Sequence, residues 1–193
     1  MAVRALYDAN VLYSRTTRDW VLMLQMKTSG LMFVGCWTED IMAELVYNLR
    51  RAHPQWDGAV IATLRGKIEK VLEGGRIEDY DCTLPYEGED PHDRHVHAAA
   101  VAGRVGVLVT DDAALLALGA DASTPYDAMS VDDFLVLIAE GAPEAVAAVT
   151  EEQLEHAVAH GRDPDLASRL EAAGCQTFGA HVRTVLQRLA LRP

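Results

Sequence analysis

Polar side chains follow two apolar segments of the chain at the point where each segment ends. Residues 105–109 form a short valine-rich run typical of a buried parallel strand, and residues 2–7 form a second apolar run. In open α/β sheets, ligands bind just beyond the carboxyl ends of the strands, so polar groups placed there are suited to form a site. The groups that follow the two runs are Asp8, Asn10, Thr110, Asp111 and Asp112.

A further acid, Asp93, lies at the start of a predicted helix. Residues 96, 99, 100 and 103 give this helix a small apolar face, and Asp93 shares that face one turn earlier. A second interpretation is structural. Asp90 and Pro91 are typical of an N-cap followed by proline at the first helical position, and Asp93 then falls where an acid supports the cap and the helix dipole.

Glu44 lies beside the apolar stripe of another predicted helix. Thr38 is a good N-cap, and Ile41, Leu45 and Leu49 recur every four residues after it. An acid next to such a stripe is either solvated at the rim or functional, and both interpretations stay open.

Acids that converge from separate elements on one sheet edge have a chemical use. Hard divalent cations prefer oxygen ligands, and carboxylates crowded together without a cation repel one another. Asp8, Glu44, Asp93 and Asp112 together could hold one or two Mg²⁺ or Mn²⁺ ions. Ions held in this way lower the pKa of a water molecule, aim it at phosphorus and stabilise the leaving oxygen.

The charge balance restricts how such a site meets its substrate. The chain has 193 residues, half of them hydrophobic, and a net charge of −12. This excludes a broad basic surface for nucleic acid, so a phosphate-bearing partner needs divalent metal or a local basic patch. Arg50 and Arg51 form a compact basic pair near the proposed site.

The remaining composition indicates a cytoplasmic protein with no membrane segment. The three cysteines are odd in number and form no CxxC motif, so a reducing compartment with buried thiols is the simplest expectation. The N-terminus lacks the pattern of a signal peptide, and no apolar run is long enough to cross a membrane.

The predicted fold class is α/β: a parallel sheet flanked by helices, followed by a helical appendage. We expect a first domain at residues 1–140 and a helical extension at 141–193, where alanine, glutamate and leucine dominate. Residues 76–84 are predicted as a further short strand. The extension has an acidic face that could pack on the domain, on another copy of the chain or on a basic partner.

The histidines and the common nucleotide and hydrolase motifs offer no competing site. His92, His95 and His97 are close in sequence, and His156 and His160 are four residues apart, but the glutamate of an HExxH zinc motif is absent. These histidines are interpreted as surface residues. The sequence also lacks GxSxG, GxxxxGK[ST] and GxGxxG.

Taken in order, the motifs resemble those of the PIN domain nucleases, in particular the VapC-like toxin branch. The resemblance covers about residues 3–140 and depends on the set of motifs rather than on any one of them. The matching segments are Asp8-Ala9-Asn10-Val11-Leu12, Arg18-Asp19, Trp37 to Ile41 leading to Glu44 and Asn48-Leu49, Asp90 to Val96 followed by Ala98-Ala99-Ala100, and Val109-Thr110-Asp111-Asp112.

This resemblance implies a metal-dependent endoribonuclease on a parallel sheet. Asp8, Glu44 and Asp93 match the three core acids of the family, and Asp112 matches its fourth position, for which Asp111 is a substitute. Asn10 and Thr110 would orient the metal ligands and the water molecule without binding the metal themselves. Asp90 would be an accessory acid. The resemblance also implies an RNA substrate, a homodimer and, for a toxin, an antitoxin partner.

Two other functions compete with this one. A strand ending in Asp8 and Asn10 loosely resembles haloacid-dehalogenase-like phosphatases, with Asp8 as a covalent nucleophile, although that class has an aspartate where this chain has Asn10. The other rival is a non-catalytic PIN-like binding module whose acids hold a metal or a basic peptide.

Overall fold

The computed structural model describes residues 2–191 and is built around a sheet of four parallel strands in the order β2-β1-β3-β4. Because the strands run in one direction, their carboxyl ends meet at one edge of the sheet. This architecture, with helices flanking the sheet, confirms the predicted α/β class. The strands are β1 (Val3–Tyr7), β2 (Phe33–Cys36), β3 (Val107–Val109) and β4 (Asp127–Met129).

Helices form most of the rest of the described chain. Their starts follow local capping chemistry: Ser14, Thr38, Asp57 and Ser130 each accept a hydrogen bond from a backbone N–H in the first turn. The helices are α1 (Ala9–Tyr13), α2 (Arg15–Lys27), α3 (Glu39–Ala52), α4 (Gly58–Val71), a 3₁₀ turn (Pro91–Asp93), α5 (Arg94–Ala102), α6 (Ala113–Gly119), α7 (Val131–Gly141), α8 (Pro143–Ala159), α9 (Leu166–Ala172) and α10 (Gln176–Ala190).

The strands differ from prediction in three places. The run at 105–109 contributes only its last three residues to β3, and β4 was not predicted. Residues 76–84 do not form the predicted strand: Arg76 makes an isolated bridge with Trp37, and the residues after it are irregular. The acidic stretch at 78–81 lacks the alternating apolar residues that would bury one face of a strand.

The loop after α4 lies against the end of β2 and fixes the segment that leads into α3. The Trp37 amide donates to the Gly75 carbonyl at 3.2 Å, and the Ile77 amide donates to the Trp37 carbonyl at 2.9 Å. A Cβ atom on Gly75 would lie 1.9 Å from the carbonyl oxygen of Gly35, so only glycine permits this approach. The start of α3, and with it Glu44, is thereby held next to the sheet.

The C-terminal helices share the hydrophobic core of the sheet domain. The buried ring of Phe178 on α10 meets the Trp20 ring of α2 edge-on, with centroids 5.0 Å apart. The carboxylate of Asp132 on α7 accepts from the backbone amides of Thr177 and Phe178, at 2.9 and 2.8 Å. The division into a domain at residues 1–140 and a helical extension at 141–193 stays a prediction, and these contacts cross the boundary between the two parts.

Two predictions about composition can be compared with the structure. Cys36 and Cys175 are buried thiols as expected, whereas Cys82 is exposed. None of the helices in residues 2–191 is long and apolar enough to cross a membrane.

Candidate active site

Asp8 is the buried centre of the acidic site. It follows β1 directly and is only 6% exposed. Its Oδ1 accepts from the Ala9 amide at 2.6 Å, and its Oδ2 accepts from Asn10 Nδ2 at 2.6 Å and from the Thr110 hydroxyl at 2.7 Å. Three donors therefore fix the orientation of this carboxylate at the carboxyl edge of the sheet.

Thr110 connects the ends of β1 and β3. Its buried hydroxyl donates to Asp8 and accepts from Asn10 Nδ2 and from the Asp112 amide, both at 3.0 Å. One donated and two accepted bonds use the full capacity of a hydroxyl. The register of the sheet, which pairs Tyr7 with Val109, places the two strand ends side by side. Asn10 and Thr110 thus both hydrogen-bond the Asp8 carboxylate, and their role in orienting metal ligands and water stays a prediction.

Asp112 is held by the helix that it starts. Its Oδ1 accepts from the amides of Ala114 and Leu115, at 2.8 and 3.0 Å, and so caps α6. The negative charge of Asp112 contributes to the raised pKa values of Asp8 and Asp93, in addition to the larger effect of burial.

Asp111 serves a different element. Its Oδ1 accepts from the Val131 amide at 3.1 Å at the start of α7, and its own amide donates to Asn10 Oδ1 at 3.3 Å. Asp111 therefore joins α7 to the sheet edge, and Asp112 is the better match to the fourth acid.

In addition to burial, the charges of the other three acids contribute to the raised pKa of Asp93. Burial raises its pKa to about 6, and the charges of Asp112, Asp8, Asp90 and Glu44 act in the same direction. The N-cap bond to this segment comes from Asp90, which accepts from the His92 amide at 2.8 Å. Asp90 is therefore the N-cap, as predicted. Asp93 lies in the first turn, where its charge favours the helix dipole, but it makes no cap hydrogen bond of its own.

Glu44 lies at the rim of the site. Its side chain is 47% exposed, yet its pKa is raised, first by partial burial and then by the charge of Asp8, against a hydrogen bond with Asn48. The pKa of Asp8 is itself raised by burial and, more weakly, by Asp112. The four predicted acids thus lie close enough together for the charge of one to contribute to the pKa of another.

The interpretation of all the histidines as surface residues is wrong for two of them. His95 lies inside the site: its Nε2 is 4.0 Å from a Glu44 carboxylate oxygen, and its Nδ1 is buried without a hydrogen-bond partner in residues 2–191. Burial lowers its pKa, although Asp40 and Asp8 oppose the shift. His97 is buried, with Nδ1 2.9 Å from the Tyr126 hydroxyl. The one sequence signal for His95 was its position in the first turn after Asp93.

The donors of this site fit a hard divalent cation by their chemistry and by their charge. Carboxylate oxygens are the ligands that Mg²⁺ and Mn²⁺ prefer. Burial raises the pKa values of Asp8, Glu44 and Asp93, the charges of neighbouring acids add to each increase, and a bound cation would oppose that repulsion. Within residues 2–191, however, no group of three or more His, Cys, Asp or Glu side chains is placed so that it could hold a metal ion. The four acids of this pocket would have to move closer together to share one cation.

The comparisons with known proteins agree with this geometry. In comparisons with curated proteins and with solved structures, nothing matches the chain significantly. A family model described as PIN domain matches residues 4–114, which is more than half of the chain and includes all four acids. The match does not distinguish the VapC-like branch. This chain belongs to the PIN domain family, whose members are generally nucleases.

Proposed function

We propose that this protein is an endoribonuclease that depends on Mg²⁺ or Mn²⁺. The observation that carries the proposal is the carboxyl edge of the sheet, where the Thr110 hydroxyl donates to Asp8 and accepts from the Asp112 amide. Burial raises the pKa values of Glu44 and Asp93, and the charge of Asp8 raises both further, so these two acids lie near Asp8. Asp8, Glu44, Asp93 and Asp112 together form the acidic pocket. Membership of a nuclease family supports the assignment of that pocket to phosphodiester hydrolysis.

The four acids would hold the metal, and the chain prepares them in different ways. A bound divalent metal supplies a water molecule of lowered pKa and stabilises charge on the transferred phosphate. Asp8 and Asp112 are oriented in advance by hydrogen bonds, which lowers the cost of ordering them around a cation. Glu44 is hydrogen-bonded to Asn48, whereas the Asp93 side chain makes no cap hydrogen bond.

The structure favours this reaction over the phosphatase alternative. The Asn10 amide donates to Asp8 Oδ2 and to the Thr110 hydroxyl, so it acts as a support for the carboxylate and not as an acid. Both Asp8 oxygens already accept hydrogen bonds, which reduces their nucleophilicity. The phosphatase mechanism gives Glu44 no role. Glu44 nevertheless lies near Asp8, because burial raises the pKa of Glu44 and the charge of Asp8 raises it further.

The test is cleavage of total cellular RNA and of oligoribonucleotides during a metal titration. We expect Asp8→Asn and Asp93→Asn to lose cleavage in Mg²⁺ and Mn²⁺ because each removes a charged ligand. Asp79→Asn removes the same charge from an exposed loop position and should cleave normally. Cleavage by both site variants at the wild-type rate would refute the proposal. RNA or peptide binding without cleavage at any metal concentration would instead support the binding module.

We also propose that the protein is the toxin of a toxin-antitoxin pair, acts as a cytoplasmic homodimer and is silenced by an antitoxin protein. The support is the resemblance of the motifs around Asp8, Glu44 and Asp93 to the VapC-like branch. Growth arrest on expression of the wild type, absent for Asp93→Asn and relieved by the product of a neighbouring reading frame, is the expected result. Normal growth with active enzyme would contradict the toxin role. Sedimentation of the purified chain would report the dimer.

A further inference from the structure

We infer that the groove between α1 and α3 binds the single-stranded RNA segment next to the cleaved bond, an inference that rests on the proposed ribonuclease function. The groove has a volume of about 440 Å³ and is lined by Asn10 and Tyr13 from α1 and by Glu44, Asn48 and Arg51 from α3. Asn10 and Glu44 also belong to the acidic site, so the groove begins where the reaction would occur.

Helical spacing gives the groove a direction. Tyr13 is three residues after Asn10, and Asn48 and Arg51 are four and seven residues after Glu44, so each helix presents one face to the groove. Seven residues of α-helix advance about 10 Å, which separates Arg51 from Glu44 along α3. An RNA strand that leaves the acidic pocket along the groove therefore meets the Asn48 amide first and the Arg51 guanidinium last.

Arg51 supplies the positive charge that an acidic protein needs beside its site. Its guanidinium lies 5.6 Å from the centroid of the Tyr47 ring, and it forms no salt bridge within residues 2–191. Arg50 is used differently, since it donates to the Trp56 carbonyl at 3.2 Å. In a chain of net charge −12, an unpaired guanidinium at the far end of the groove is placed to contact a flanking phosphate.

The aromatic side chains favour unpaired nucleotides as the occupant. Tyr13 in the groove is 39% exposed, and Tyr47, which is 61% exposed, contacts Arg51 from outside the lining. Single-stranded nucleic acid is bound by charge along the backbone together with stacking of bases on aromatic rings. Asn48 also lines the groove, where its side-chain amide can hydrogen-bond a base edge or a ribose hydroxyl. A basic peptide would meet repulsion from Arg51, so RNA is the better occupant.

The test is steady-state cleavage of an oligoribonucleotide with one cleavage site, at several salt concentrations. For Arg51→Ala we expect KM to rise about fivefold to tenfold, with kcat nearly unchanged and a salt slope smaller by about 0.7. Arg188→Ala is the matched control, since it removes an exposed arginine from α10, outside the groove. Tyr13→Ala should raise KM for the intact oligonucleotide, whereas Tyr13→Phe should not. An abasic nucleotide at one flanking position should abolish the difference between Tyr13→Ala and the wild type.

The outcomes separate this inference from the proposed function. Suppose that the wild type cleaves RNA and that Arg51→Ala and Tyr13→Ala have the same KM and salt slope as the control Arg188→Ala. That result would overturn the groove assignment and leave the proposed ribonuclease function in place. A fall in kcat with unchanged KM for these variants would also overturn it. If Arg51→Ala strengthens the binding of a basic peptide and leaves the affinity for RNA unchanged, the groove binds a protein partner and not RNA. A wild type without RNA cleavage at any metal concentration would overturn both proposals.

Discussion

Without metal, the charge of Asp93 should destabilise the folded protein, and Asp93→Asn should remove that cost. The folded pKa is about 6 against an ordinary value of 3.8, a difference of 2.2. At about 1.36 kcal/mol per pKa unit, the full difference corresponds to about 3 kcal/mol. Asp93 is only half-buried, so solvent screening reduces this value, and we expect about 1 kcal/mol.

The sign of the pH dependence follows from the direction of the shift. The folded state favours protonated Asp93, so its contribution to stability is complete below pH 3.8 and is lost as the pH rises through about 6. The wild type should therefore lose stability between these values, whereas Asp93→Asn should lose less. Asp8 and Glu44 also have raised pKa values, so the variant keeps part of the same dependence.

Thermal unfolding in EDTA at about pH 4 and about pH 7.5 measures the effect. A gain of 1 kcal/mol in a chain of this size corresponds to a Tm increase of about 2 to 4 °C for Asp93→Asn at the higher pH. Asp79→Asn controls for the loss of one negative charge from the whole protein. Mg²⁺ should raise the Tm of the wild type more than that of Asp93→Asn. An Asp93→Asn protein that melts below the wild type at the higher pH, or with the same pH slope, would refute the reasoning.

Further predictions concern the supports of the site. Thr110→Val removes the hydroxyl that orients Asp8 and should lower kcat by about 10- to 100-fold, with an unchanged circular dichroism spectrum. Asp112→Ala should cost about 1 kcal/mol in urea unfolding through loss of the α6 cap, whereas Asp112→Asn should keep that stability, and both should lose cleavage. Phe178→Ala should cost about 3 to 5 kcal/mol in the same assay, because α10 is part of the common core; a loss under 1 kcal/mol would show a loosely attached extension.

The prediction of the fold succeeded where the information was local. Apolar runs located β1 and part of β3, and side-chain caps such as Thr38 and Asp90 located helix starts, because these signals depend on residues a few positions apart. The strand predicted at 76–84 failed because its only pairing is one bridge to Trp37, which sequence patterning does not reveal. The short β4 was missed because its pairing with β3 comes from the sheet, and its residues are not fully buried.

For the site, the sequence alone determined which acids were available and that two of them follow strands. Tertiary packing decided their roles. It placed Asp111 at the start of α7 and partly buried His95 beside Glu44. It also raised the pKa of Asp93, first by burial and then by charges from elements far apart in the chain. Residue spacing is a property of one segment, whereas electrostatic potential and burial depend on every segment that packs around a side chain.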